Sequence, residues 1–115
     1  MSKSALYFML HKYVGIYGIE AALCELPDSL NLSELIKHNC APKSARLRIH
    51  KQGTGKNAMW FVAYGEPFNG GSTVYFQHNN TSLTSAIVNA IAGLIDLGVM
   101  SEDYFTRKVE EYESR

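Results

Sequence analysis

The sequence predicts an α+β domain in which helices near both ends of the chain pack on one face of a small, three-stranded antiparallel sheet. Two patterns predict this class: apolar residues recur at helical spacing near both termini, and they alternate with polar residues in the middle of the chain. A chain of 115 residues is the size of one domain, so we expect a single globular domain over residues 1–115, with the order α-α-β-β-β-α-α.

The N-terminal segment predicts a helix from Ser4. Its apolar residues lie three or four positions apart: Leu6, Met9, Leu10, Tyr13 and Tyr17. Gly15 and Gly18 each disfavour helix by about 1 kcal/mol relative to alanine, so we expect a break or kink there. The helix then resumes at residues 19–23, and Pro27 ends the segment.

A short second helix is predicted over Glu34–Asn39. Ser33 can cap its N-terminus, and Pro42 prevents it from continuing. His38 and Cys40 flank its end and could supply two metal ligands. A zinc site needs four ligands, and no paired spacing supplies the others, so we predict no metal site.

The stretch Gly53-Thr54-Gly55-Lys56 resembles part of a phosphate-binding loop but lacks both ends of that motif. His50 stands where the first glycine is required, and Asn57 stands where serine or threonine is required. Because alternating segments lie on both sides, the glycines predict a β-hairpin with a three-residue loop over residues 53–55. The sequence therefore predicts a hairpin here and no phosphate loop.

A three-residue loop also predicts the register of the hairpin, with Gln52 opposite Lys56. In that register an apolar core face pairs Ile49 with Met59, Leu47 with Phe61 and Ala45 with Ala63. The opposite face pairs Arg48 with Trp60 and Arg46 with Val62. A third strand is predicted over residues 73–77.

Two helices are predicted to follow the sheet. The first begins after Thr81 or Ser82 and has a broad apolar face, formed by Leu83, Ile87, Ile91, Leu94 and Ile95. The second begins after Ser101, and its apolar residues repeat at helical spacing: Phe105, Val109 and Tyr112. We expect the first helix to be mostly buried, whereas the apolar stripe of the second could be either core or a dimer interface.

Charge is distributed unevenly, although the formal net charge is zero at pH 7. Residues 35–65 contain no acidic residue and carry the basic residues Lys37, Lys43, Arg46, Arg48, Lys51 and Lys56. Residues 96–115 are mainly acidic, with Asp96, Glu102, Asp103, Glu110, Glu111 and Glu113. The sequence therefore predicts a basic hairpin and an acidic last helix.

This charge pattern, without a visible catalytic constellation, predicts a small non-enzymatic binding or regulatory protein that docks onto a protein or nucleoprotein complex. The alternative is a nucleic-acid-binding protein that uses a basic-aromatic hairpin over residues 43–64 to contact DNA or RNA. The candidate binding residues are Lys43, Arg46, Arg48, Lys51, Lys56 and Trp60. A possible second docking surface consists of Glu102, Asp103, Glu110 and Glu111.

Structural explanations of the same residues stay open. Arg48 and Trp60 could form a cross-strand cation–π pair that only stabilises the hairpin. The basic hairpin and the acidic last helix could pair with each other, within one chain or across a homodimer.

The location of the protein is also an expectation from sequence. No apolar stretch is long enough to span a membrane, and the N-terminus has no signal-peptide pattern, so we expect a cytoplasmic protein without bound cofactor. In a reducing compartment, Cys24 and Cys40 are expected to remain free thiols. Small size and the lack of catalytic groups fit an accessory protein of a phage or plasmid.

Overall fold

The computed structural model describes residues 2–31, 44–68 and 71–115, and these form four α-helices and a four-stranded antiparallel sheet. In chain order the elements are α1 Lys3–Tyr17, α2 Ile19–Glu25, β1 Ser29–Asn31, β2 Ser44–Gln52, a 3₁₀ turn Gly55–Asn57, β3 Met59–Phe68, β4 Gly71–Asn80, α3 Leu83–Asp96 and α4 Glu102–Glu113. The predicted α+β class is confirmed. The predicted helix Glu34–Asn39 lies outside the described residues.

Helices α1 and α2 meet at a single glycine. The Ser2 hydroxyl caps α1 by accepting a hydrogen bond from the Ala5 backbone N–H at 3.1 Å. The helix ends at Gly18, whose φ of 95° and ψ of 165° form a conformation that is essentially restricted to glycine. Gly15 lies inside α1 and does not interrupt it. The predicted break therefore occurs at Gly18 alone.

Helix α3 forms the centre of the core. The Ser82 hydroxyl caps it by accepting a hydrogen bond from the Ser85 N–H at 3.3 Å. Its buried residues are Ala86, Ile87, Val88, Ala90, Ile91, Ala92 and Leu94. The helix packs against β3, β4 and α1, so it links the sheet to the other helices.

Helix α4 packs on α1. Phe105 and Val109 are its buried residues, and the Phe105 ring meets the Tyr13 ring edge-on, with centroids 5.0 Å apart. The Tyr17 hydroxyl of α1 donates a hydrogen bond to the Lys108 carbonyl oxygen at 2.7 Å. The predicted acidic helix is therefore attached to the helical layer of the molecule.

The sheet has the order β1-β2-β3-β4, in which every neighbouring pair is antiparallel. The prediction of three strands was wrong, because β1 adds a fourth by pairing with residues 44–46 of β2. Its middle residue, Leu30, is 2% exposed and packs in the core. A strand of three residues is too short for its alternation to be detected in the sequence.

The predicted register of the central hairpin was also wrong. The connection is longer than three residues, because the 3₁₀ turn Gly55–Asn57 extends it, and Gln52 pairs with Met59 instead of Lys56. Ile49 consequently lies opposite Val62, three residues beyond the predicted partner Met59. An odd shift exchanges the two faces of a strand, so the opposite side of β3 packs on the helices.

The new register also corrects the predicted core face. The described core face pairs Leu47 with Tyr64 and Ile49 with Val62, and both residues of β3 are 0% exposed. Phe61 lies on the opposite face of β3, where it pairs with His50 instead of Leu47.

In the three described ranges, no helix combines the length and the apolar character needed to span a bilayer.

Candidate functional site

The sheet face that is directed away from the helices forms a polar and basic surface, which we call the open face. Its described residues are Arg46, Arg48, His50, Phe61, Ala63, Gly65, Gln77 and Asn79. On β2 the exposed residues Arg46, Arg48 and His50 alternate with Leu47 and Ile49, which pack on the core. Strand alternation thus places both arginines on one side.

Cross-strand pairing arranges the open face in rows. His50 of β2 pairs with Phe61 of β3, which pairs with Asn79 of β4. The next row consists of Arg48, Ala63 and Gln77. Arg46 then pairs with Gly65.

Small residues form the floor between the polar side chains of the open face. Ala63 is 3% exposed and Gly65 is buried, so neighbouring groups cover both of these small residues. Arg46 and Arg48 stand exposed on one side of this floor, and Gln77 stands exposed on the other. These small residues form a row along β3 that ends at the ring of Phe61, and we call this row the track.

Two aromatic rings stack at the end of this track. The His50 and Phe61 rings are nearly parallel, at 3°, with centroids 5.0 Å apart. This is the offset-stacked arrangement that aromatic pairs favour. His50 is exposed and Phe61 is partly exposed, so solvent reaches the pair.

No ion pair joins a carboxylate of the described residues to an arginine of the open face. The one ion pair among the described residues joins Lys12 of α1 to Glu113 of α4. Asp28 and Arg46 line a common shallow pocket beside β1, together with Ser29 and Leu47, but they form no ion pair there. Within the described part of the chain, neither guanidinium group is therefore held by a carboxylate.

The structure separates the residues that the sequence analysis grouped as one binding site. Arg46 and Arg48 lie together on the open face, as predicted. Lys51 pairs with Trp60 on the opposite face, with its Nζ 5.6 Å from the centroid of the indole ring. Lys56 lies in the 3₁₀ turn at the hairpin tip, and Lys43 lies outside the described residues.

The predicted pairing of Arg48 with Trp60 was wrong. Arg48 lies opposite Ala63, whereas Trp60 is partly buried and packs against the core cluster. The error follows from the register, because a shift of three residues moves Trp60 to the other face of β3. Trp60 therefore belongs to the helix-facing side of the sheet.

Sequence reasoning missed several residues of the open face: His50, Phe61, Gln77 and Asn79. In β3, both alternating sets are apolar or small, with Trp60, Val62 and Tyr64 on one side and Phe61, Ala63 and Gly65 on the other. Polarity alone therefore could not show which of the two sets faces the helices. The one available signal was size, because two of three residues on the open side are small.

The predicted acidic surface lies on α4 and carries mixed charge. Asp103, Glu110 and Glu111 are exposed, and Glu102 is partly buried. A pocket on this helix is lined by acidic and basic groups together: Asp103, Glu111, Arg107 and Lys108, with Ser101 and Tyr104. Acidic and basic groups therefore lie side by side on this surface.

Most of the shifted titratable groups belong to the core and its edges, where hydrogen bonds and burial explain them. Burial raises the pKa of Tyr64, whose hydroxyl donates to the Pro27 carbonyl oxygen at 2.7 Å. A hydrogen bond to Glu25, 2.7 Å long, raises the pKa of the Tyr104 hydroxyl. Burial lowers the pKa of His78, and the charge of Lys3 lowers it further. These shifts lie away from the open face.

The described residues contain no group of three or more His, Cys, Asp or Glu side chains placed to hold a metal ion. Cys24 is an exposed free thiol on α2, and Cys40 lies outside the described ranges.

No protein-family model, curated protein or solved structure matches this chain significantly.

Proposed function

We propose that this chain is a small, non-enzymatic binding protein that docks onto nucleic acid, alone or within a nucleoprotein complex, through the open face. One observation carries the proposal: Arg46 and Arg48 stand exposed on the same side of the sheet, and neither forms an ion pair with another described residue. Arginine is suited to phosphate because its planar guanidinium can donate two parallel hydrogen bonds. Phosphate contacts supply most of the sequence-independent affinity for nucleic acid.

The neutral net charge is compatible with this function because the charges are separated in space. The arginines lie on β2, and the exposed carboxylates Glu110 and Glu111 lie on α4, which packs on α1. Fields of exposed charges are screened within about 10 Å at moderate salt, so a ligand at the sheet experiences mainly the local charge. We expect binding that is modest in affinity and strongly dependent on salt.

Salt dependence tests the proposal. A fluorescently labelled oligonucleotide is titrated with the protein at several salt concentrations, and log K is plotted against log salt. Arg48→Ala should weaken binding and make the slope shallower by about 0.7 for a single strand, because one phosphate contact is lost. Arg107→Ala is the matched control, since it removes an exposed arginine from α4.

Two results would contradict the proposal. Wild-type protein that fails to bind at low salt would exclude nucleic acid as the direct ligand of the open face. Equal effects of Arg48→Ala and Arg107→Ala would mean that only total charge matters.

Docking of α4 onto a protein partner stays a second prediction with less support. Arg107 and Lys108 lie among its acidic residues and reduce the contrast with a basic partner. Charge reversal at Glu110 and Glu111 should abolish capture of a protein partner if that surface is used, and should leave oligonucleotide binding by the open face intact.

A further inference from the structure

We infer that the open face selects single-stranded over double-stranded nucleic acid, by stacking one unpaired base on the His50–Phe61 ring pair. This inference rests on the proposed function and narrows the ligand from nucleic acid in general to single strands. Aromatic stacking on bases is a general means of holding single strands, because every base offers a π face.

The geometry of the ring pair leaves room for a third ring. A stack of two parallel rings has two outer faces; Phe61 provides one of them, and its cross-strand partner on β4 is Asn79. His50 provides the other outer face, and its side chain is exposed. A base that stacks on the imidazole would extend an existing stack without moving either side chain.

The neighbouring residues suit the rest of a nucleotide chain. Arg46, Arg48 and His50 are successive residues on one side of β2, so their Cα atoms are spaced by about 7 Å. A strand with one base on His50 can therefore place its next phosphates near the two guanidinium groups. The exposed amides of Gln77 and Asn79 offer donors and acceptors across the track.

A duplex cannot use the same site fully. Its bases are stacked on one another, so none of them offers a free face to the His50 ring. The described part of the open face is a sheet surface with small residues at Ala63 and Gly65, and it projects no helix or ribbon that could enter a groove. A duplex would contact the arginines through its phosphates alone.

The test compares one labelled strand of mixed sequence, free and annealed to its complement, on the full-length protein. Wild-type protein should bind the free strand at least 10-fold more tightly. Phe61→Leu keeps an apolar residue but removes the ring that supports His50, and should lower single-strand affinity about 10-fold with little change for the duplex. Phe61→Tyr should retain the preference. Tyr104→Leu is the control, since Tyr104 is an exposed aromatic residue on α4.

A readout independent of affinity is the proton NMR spectrum of the bound strand. A stacked base should show upfield ring-current shifts in wild type and in Phe61→Tyr. These shifts should be reduced in Phe61→Leu, which circular dichroism must first show to be folded.

The outcomes separate the two claims. Salt-sensitive binding that is equal for both ligands, weakened by Arg48→Ala and unchanged by Phe61→Leu, would overturn the stacking inference and leave the proposed function standing. Absence of binding to either ligand at low salt would overturn both. A single-strand preference that is lost in Phe61→Leu and kept in Phe61→Tyr supports the inference.

Discussion

At the residue scale, two glycines of the first helical segment show how far local rules determine this fold. Both were expected to weaken the helix, yet only Gly18 ends it. The difference is conformational, because Gly18 has a φ of 95°, whereas Gly15 lies within α1. Sequence can predict that glycines disfavour helix, but it cannot show which glycine adopts a conformation closed to other residues.

Alanine at the two positions should therefore have opposite effects. Gly18→Ala should lower the free energy of unfolding by about 1–3 kcal/mol, because the backbone there is strained for any residue with a side chain. Gly15→Ala should raise it by about 0.5–1 kcal/mol, because alanine favours helix.

Space does not limit either substitution, since nothing lies within 4 Å of the added Cβ at Gly15 or Gly18. Urea denaturation of the two variants measures both effects. Stabilisation by Gly18→Ala would show that the positive φ is absent in solution.

At the element scale, patterns that depend on one segment were predicted well, and patterns that depend on two segments were not. Helices α1, α3 and α4 follow from apolar spacing within each segment, and Ser82, one of the two caps predicted for α3, does cap that helix. The register of β2 and β3 depends on the length of their connection, which the 3₁₀ turn Gly55–Asn57 extends. No local pattern reveals that turn, and a single odd error transfers a whole strand to the other face.

Engineered disulfides can test the register directly. In a background with Cys24→Ser and Cys40→Ser, the pair Arg48→Cys and Ala63→Cys should oxidise readily. These residues are Cα partners, and opposite residues of antiparallel strands lie about 4.5–5.5 Å apart, within the range of a disulfide.

The matched control is Arg48→Cys with Trp60→Cys, the pair expected from a three-residue loop. Positions 48 and 60 point to opposite faces in the described register, so this pair should keep free thiols. Thiol titration after mild oxidation distinguishes the two pairs. A disulfide in the 48/60 pair alone would support the shorter loop and refute the open face.

At the scale of the whole molecule, the fold separates two charged surfaces that the sequence only places in different segments. The open face lies on the sheet, and the acidic residues lie on α4, which packs on α1. The one ion pair in the described part of the chain lies between helices, so none joins the hairpin to α4. Within the described chain, neutralisation of the basic hairpin by the acidic helix is therefore not observed.

The candidate site was predictable only in part, because some of its contacts depend on the register of β2 and β3. Arg46 and Arg48 were identified because strand alternation places them together in any register. Phe61 and His50 were missed, because their contact exists only in the described pairing of β2 with β3. The local sequence thus predicts the charge of the site. The pairing of the His50 and Phe61 rings, in contrast, depends on the register between β2 and β3.

The measurement that tests the central claim most directly is a map of backbone amide chemical-shift changes when an unlabelled single strand is added to isotope-labelled protein. We expect the largest changes at Arg48, His50, Phe61 and Asn79, and no changes at Glu110 and Glu111 of α4. The largest changes on α4, or no changes at a saturating concentration of the strand at low salt, would contradict the claim that the open face is the binding surface.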